Sequence, residues 1–224
     1  MRMQITAAAL AVAASAAGPL QAQDACQDAA KILGKAPRLG EWAEYTFQKA
    51  DAKEKPSPMR GAFIKSEERD GRTLYWLQML MPDPKGGKPM IVQALMPWDP
   101  SASGRPEIVE SVMKMGDQPA IKMPSGMPKQ SNAPDFREEC KKSKFVGEEK
   151  VTVPAGTFTA RHYQSPDGEM WVSADAPVWH LVKFVSKKGD TMTLSARGTG
   201  AKSEITETPM SMGEMMKGGK APSR

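Results

Sequence analysis

From Glu41 onward the chain is divided into short apolar runs, each followed by a turn signal. The runs have the length of strands and are too short for typical helices. Asp70-Gly71 and Asp167-Gly168 are strong hairpin signals, because glycine adopts the positive φ that tight turns require. Further turns are expected at 82–87, 154–156 and 187–190. Strands at this regular spacing predict a mainly β fold, a sandwich or barrel.

Several of these runs are apolar on both faces. Successive side chains of a strand point to opposite faces. In the run 74–81, one face would carry Leu74, Trp76 and Leu80. The other face would carry Tyr75, Leu77, Met79 and Met81. An antiparallel sheet with one hydrated face would alternate more cleanly. Both faces are therefore expected to be covered, either by ordinary packing or by a hydrophobic ligand.

Three segments depart from the strand pattern. Apolar residues at helical spacing predict one short amphipathic helix from Glu107 to Lys114, and Asp24 to Leu33 is predicted as another. The four prolines of residues 119–140 favour an extended crossover or a mobile flap over packed structure. After a last strand from Ser203 to Thr208, residues 209–224 are predicted to form a disordered Met-rich tail.

The first 22 residues have the pattern of a cleaved signal peptide. Arg2 supplies a positive charge, an apolar run extends from Ile5 to Ala17, and Ala22 is the small residue before the expected cleavage point. That run is too short for the ~30 Å bilayer core, which takes about 20 apolar residues. We therefore expect a periplasmic domain over residues 23–208, monomeric, with no transmembrane segment and at most transient membrane contact.

The charge distribution narrows the classes of binding partner, and the two cysteines predict a cross-link. The net charge is +5, or +4 without Arg2, and basic and acidic residues are interspersed. This distribution argues against nucleic-acid binding. In an oxidising compartment Cys26 and Cys140 are expected to form a disulfide, with two unpaired thiols as the alternative. Closing so long a loop contributes ~4–5 kcal/mol in the chain-entropy model.

The sequence contains no recognisable catalytic motif. It has no Gly-x-Ser-x-Gly, no His-Glu-x-x-His, no phosphate-binding glycine loop and no Cys-x-x-Cys. His162 and His180 lie within strand patterns, where a histidine is more often structural than a general base. The sequence therefore predicts a protein that is not an enzyme and has no cofactor.

Methionine is the feature that favours a hydrophobic ligand. Of 17 methionines, only Met1 and Met3 fall in the signal peptide. Methionine is flexible and polarizable, and it suits surfaces that adapt to varied apolar partners, although it also fills gaps in ordinary cores. The leading hypothesis is a periplasmic binding or carrier protein for a lipid, an acyl chain or another hydrophobic ligand. Its expected pocket is lined by Trp76, Met79, Met81, Met96, Trp171 and Trp179, with the helix near Val112 as a partial lid.

Two other functions remain open from the sequence alone. Met210, Met212, Met215 and Met216 place four thioethers in the tail, and thioether sulfur selects Cu(I). The protein would then handle copper. The third hypothesis is a cell-envelope structural or interaction module without a small ligand.

Residues 151–183 contain a recognisable series of motifs. Val151 to Phe158 reads VTVPAGTF, and Trp171-Val172-Ser173 and Leu181-Val182-Lys183 follow. This region resembles the C-terminal half of exported bacterial proteins related to the outer-membrane lipoprotein carrier superfamily. The resemblance implies a curved, incomplete antiparallel barrel around one or two short helices. It also implies an apolar concave face able to hold acyl chains.

Overall fold

The computed structural model describes residues 31–32, 34–51, 55–83, 86–98, 107–123 and 142–214. The signal peptide, Cys26, Cys140, Met215, Met216 and most of the predicted helix at 24–33 and crossover at 119–140 lie outside these ranges. No helix among the described residues is long and apolar enough to span a bilayer.

The described residues form one 12-stranded, curved sheet, which confirms the mainly β prediction. The strands are β1 (Trp42–Gln48), β2 (Ser57–Arg69), β3 (Arg72–Met81), β4 (Met90–Pro97), β5 (Glu110–Met115), β6 (Ile121–Met123), β7 (Lys144–Val153), β8 (Gly156–Ser165), β9 (Gly168–Val172), β10 (Leu181–Ser186), β11 (Thr191–Gly198) and β12 (Met210–Ser211).

The sheet consists of two antiparallel meanders joined side by side. Its order is β12-β6-β5-β4-β3-β2-β1-β11-β10-β9-β8-β7. The two meanders meet where β1 pairs with β11, from Trp42 opposite Gly198 to Gln48 opposite Thr191. Only β12, which pairs with β6, runs parallel to its neighbour. The sheet therefore has two edges, at β7 and at β12.

The expected hairpin turns are present. Asp70 and Gly71, between β2 and β3, have φ values of 50° and 70°. Two successive positive φ values are characteristic of a type I′ turn, whose twist matches that of the flanking strands. At Gly168 (φ 151°), a Cβ would lie 2.1 Å from the Val185 carbonyl oxygen, so this hairpin accepts no side chain there.

The predicted helix from Glu107 to Lys114 is wrong, because residues 110–115 form β5. Val112 lies opposite Gln93 of β4, and Met113 lies opposite Val92. The same apolar residues that fit a helical period also place one apolar side chain on each face of a strand. The unpaired side of β4, which the local sequence does not reveal, decides between the two.

The predicted last strand from Ser203 to Thr208 is also wrong. These residues have no strand pairing and instead form an extended segment across the sheet. We call residues 199–209 the C-terminal strap. The strap ends where β12 begins, since Met210 N–H donates to the Ala120 carbonyl oxygen at 2.8 Å. The predicted disorder after residue 208 therefore does not extend to Met210 and Ser211.

The two faces of the sheet carry separate hydrophobic cores. The inner core joins residues of β1–β4 to residues of β7–β11, which requires the sheet to bend around this face. Its buried members are Ala43, Tyr45, Phe63, Leu77, Ala94, Met96, Val153, Phe158, Ala160, Trp171, Ala176, Val178, Val182 and Leu194. The outer core, beneath the strap, comprises Leu74, Trp76, Ile91, Leu95, Val112, Ala120 and Ile205.

A pair of buried glutamines fastens the strap to the outer face. Gln78 accepts from Glu204 N–H at 2.8 Å and donates to the Lys202 carbonyl oxygen at 3.2 Å. Gln93 Nε2 donates to Gln78 Oε1 and to Ser203 Oγ, each at 2.8 Å. Buried amides are stable only when hydrogen-bonded, so these two side chains fix the position of the strap.

Candidate functional site

The residues of the predicted pocket lie on opposite faces of the sheet. Trp76 and Val112 belong to the outer core. Met79, Met96, Trp171 and Trp179 lie on the inner face, and Met81 joins them because it shares the parity of Met79 on β3. A strand turns each successive side chain to the other face, so these residues cannot line one pocket.

Trp76 is held within the outer face. Its Nε1–H donates to Glu67 Oε2 at 3.0 Å, and Lys65 Nζ lies 4.9 Å from its ring centroid. The indole N–H holds the pKa of the Glu67 carboxyl below its ordinary value. Trp76 is 5% and Val112 3% exposed. These two residues are structural, and the strap covers the face on which they lie.

The centre of the inner face is filled by the protein itself. The loop between β9 and β10 contributes Ala176, Val178 and Trp179 to the inner core. Trp179 packs on Tyr45, with ring centroids 5.4 Å apart. The Tyr45 hydroxyl donates to the Leu181 carbonyl oxygen at 2.7 Å, and burial raises the pKa of Tyr45. This part of the predicted hollow is therefore occupied by side chains.

The loop that carries Trp179 has a strained backbone. Trp179 N–H donates to the Pro177 carbonyl oxygen at 2.9 Å, and Val178 between them has φ 66°. An i→i+2 hydrogen bond around a positive φ defines the rarer, strained form of γ-turn. A β-branched residue is especially disfavoured there. The strain is held by the packing of Trp179 against Gly61, where a Cβ would lie 2.2 Å from Trp179 Cη2.

Beyond Trp179, the inner face of β2–β6 and β12 presents a continuous set of methionines. Directly opposite residues on paired strands share a face. In one row Met79 lies opposite Val92, Val92 opposite Met113, and Met113 opposite Ile121, which pairs with Met210. We define the methionine face as Met59, Met79, Met81, Met90, Met113, Met115 and Met210, with Val92 and Ile121 between them.

The methionine face is only half-buried, whereas the opposite face of the same strands is closed. Met115 is 45% exposed, and the other members are intermediate in burial. On the opposite face Leu95 is fully buried. A contiguous apolar surface that stays partly exposed is a candidate interaction site. Methionine suits it to a flexible apolar ligand.

A polar cluster lies at the other end of the inner face. His162 stacks on Trp171 with centroids 4.3 Å apart, and the Trp171 Nε1–H donates to Glu149 at 2.5 Å. His162 Nδ1 lies 3.4 Å from Glu149 Oε1, and Nε2 lies 3.2 Å from Glu169 Oε2. Carboxylates occupy both sides of the imidazole, so neither ring nitrogen is offered to a substrate.

The structure also contains a polar cleft of about 490 Å³ between β8, β11 and the loops before β1 and after β9. Its charged groups interact with the protein itself. Arg38 pairs with Glu41 at 3.1 Å, and Arg197 donates to the Asp175 carbonyl oxygen at 3.0 Å and lies over Phe158. This cleft contains none of the predicted pocket residues, and its polarity does not suit an apolar ligand.

The predicted pocket does not include Met59, Met90, Met113 or Met115. The signal that identifies them is the pairing register, because each lies opposite an inner-face residue of the next strand. Met113 was assigned to a helix, which hid its place in this row. The four tail methionines separate: Met210 joins the methionine face, Met212 follows in a helical turn, and Met215 and Met216 lie outside the described residues.

Comparisons with known proteins return weak structural similarities. No family model matches the chain, and neither does any curated protein. Among solved structures, a Bacteroides fragilis protein described as exported, with a YmcC-like fold, has a TM-score of 0.37 and 13% identity over 73% of this chain and 97% of its own. A Parabacteroides distasonis protein described as a lipoprotein has a TM-score of 0.38 and 14% identity over 74% and 98%. Neither description names the lipoprotein carrier superfamily.

Proposed function

We propose that this protein is a non-enzymatic protein of the bacterial cell envelope that binds an acyl chain on its methionine face. The observation that carries the proposal is the contrast between the two faces of β2–β6. The strap closes one face, and the other keeps a half-buried row of methionines. The proposed binding surface is therefore the methionine face, and not the central hollow that the sequence predicts.

The surface has the properties that an acyl chain requires. A methylene chain is flexible and has no polar groups, so its binding depends on apolar contact area, at roughly 25 cal/mol per Å² buried. Met79, Met81 and Met90 can change rotamers to follow such a chain. Trp179, on Gly61 beside Met79, supplies a rigid aromatic border to the site.

A brominated fatty acid provides the test, because bromine quenches tryptophan fluorescence on contact. We expect saturable quenching that is reduced in the Trp179→Phe variant, since Trp179 borders the methionine face and Trp42 and Trp76 lie on the outer face. Trp98 and Trp171 belong to the inner core and account for the quenching that remains. Met79→Gln together with Met90→Gln should weaken binding at least tenfold, because two polar amides replace apolar contacts.

The matched control is Met170→Gln, a half-buried methionine that packs in a separate cluster with Tyr163 and Val172. Its binding should equal that of the unmodified protein. Quenching that does not saturate, or a native mass spectrum that shows only the bare polypeptide after incubation with fatty acid, would refute the proposal.

A further inference from the structure

The methionine face contains three thioethers at one level of three neighbouring strands. Met81 of β3 lies opposite Met90 of β4, and Met90 lies opposite Met115 of β5. The Cβ atoms of directly opposite residues on antiparallel strands are about 4.5–5.5 Å apart. A methionine side chain has three rotatable bonds, so three neighbouring thioether sulfurs can converge on one ion.

The three side chains are accessible from solvent. Met81 and Met90 are intermediate in burial, and Met115 is 45% exposed. Among the described residues of the adjoining turn, Lys88 forms an ion pair with Asp117, so its charge is compensated. An ion can therefore enter this site without unfolding a strand.

The ligand chemistry selects a soft cation. Thioether sulfur favours Cu(I), whereas carboxylate and carbonyl oxygens suit magnesium, calcium and manganese. Among the described residues, no group of three His, Cys, Asp or Glu side chains is placed to hold a metal ion. We propose that Met81, Met90 and Met115 form a binding site for Cu(I), or for Ag(I), which has the same preference for thioethers.

This site differs from the copper site predicted in the tail, because none of its ligands belongs to residues 209–224. It also goes beyond the proposed acyl-chain binding, which uses the apolar area of the same face and not its sulfur. Replacing methionine by leucine removes the sulfur and preserves apolar volume. Leucine substitutions therefore test the role of the sulfur in ion binding.

The experiment is an anaerobic titration of the full chain with Cu(I) against a chromogenic Cu(I) chelator, repeated with Ag(I) by native mass spectrometry. We expect one bound ion, and at least a tenfold loss of affinity in the triple variant Met81→Leu, Met90→Leu, Met115→Leu. Circular dichroism verifies that this variant is folded.

Two control variants make the outcome decisive. Met170→Leu with Met192→Leu should leave Cu(I) affinity unchanged, as should Met210→Leu with Met212→Leu. Unchanged affinity in the folded triple variant, or loss confined to the Met210 and Met212 variant, would overturn the proposed site. If the unmodified protein binds Cu(I) but no fatty acid, the proposed function fails and the proposed ion site stands.

Discussion

Gly61 is the residue on which the position of Trp179 depends. The indole occupies the space into which a side chain at residue 61 would project. Gly61→Ala should therefore displace Trp179 and lower the free energy of unfolding by about 1–3 kcal/mol, the usual cost of overpacking. Urea denaturation measures the loss, and a red shift of tryptophan emission reports the displacement.

Gly147 of β7 is the matched control for that substitution, because a Cβ there meets nothing within 4 Å. Gly147→Ala should change stability by less than about 0.5 kcal/mol, as most surface substitutions do. Equal effects of the two alanine substitutions would show that Trp179 does not depend on Gly61.

His180 makes stability depend on pH near neutrality. Burial lowers the pKa of His180 below its ordinary value of 6.5. The unfolded chain therefore binds this proton more readily than the folded protein does. Stability is greatest above pH 6.5 and declines as the pH falls from 6.5 through the pKa of the folded protein.

The His180→Asn variant should flatten this dependence between pH 7.5 and 5.5, measured as urea midpoints at each pH. Asparagine is chosen because His180 has φ 55°, a conformation that asparagine tolerates. His162→Asn serves as the comparison, since it removes the other imidazole. A slope that is unchanged in His180→Asn would contradict the assignment.

Among the larger elements, the strap has the most testable attachment. Gln78→Met would leave the Glu204 N–H and the Lys202 carbonyl without their buried partner. Each hydrogen bond of this kind contributes about 0.5–1.5 kcal/mol net. We expect lower stability and faster hydrogen exchange at the amides of residues 202–207.

Gln164→Met is the control, because Gln164 is an exposed side chain that contacts Glu169 at the surface. It should leave both stability and exchange nearly unchanged. Unaltered protection of the strap amides in the Gln78→Met variant would show that apolar contacts of Ile205, and not the glutamine pair, hold the strap.

Local turn chemistry was readable from the sequence, but pairing partners were not. Asp70-Gly71 and Asp167-Gly168 correctly predicted hairpins, because the required φ values are local properties. The helix assigned to 107–114 was wrong because β4, distant in sequence, supplies the partner that makes Val112 and Met113 strand residues. The prediction that both faces of β3 are covered is correct. The predicted pocket, however, combined Trp76 and Met79, which lie on opposite faces of the sheet.

At the scale of the whole molecule, the sheet depends on one long-range pairing. β1 and β11 join the meanders, and Leu194 of β11, opposite Tyr45, is fully buried. Leu194→Ala should cost about 2–5 kcal/mol, as cavity-forming substitutions do. Because the inner core is shared, circular dichroism and tryptophan fluorescence should report one coincident transition.

Leu39→Ala is the comparison, because Leu39 is 50% exposed and should contribute little. Two separate transitions in the Leu194→Ala variant would show that the meanders fold independently. This pairing is the part of the architecture that no local pattern in the sequence indicated, since nothing near residue 45 identifies residue 194 as its neighbour.

The C-terminal strap has two structural roles, so proteolytic cleavage within it would disrupt both. Residues 199–209 shield the outer apolar face, and β12 at their end occupies the free side of β6. Proteolytic cleavage near Gly200 would therefore expose the outer apolar face and the unpaired backbone groups of β6 at the same time. Such edges template strand addition between molecules. The cleaved protein would then self-associate through these exposed edges and form insoluble aggregates.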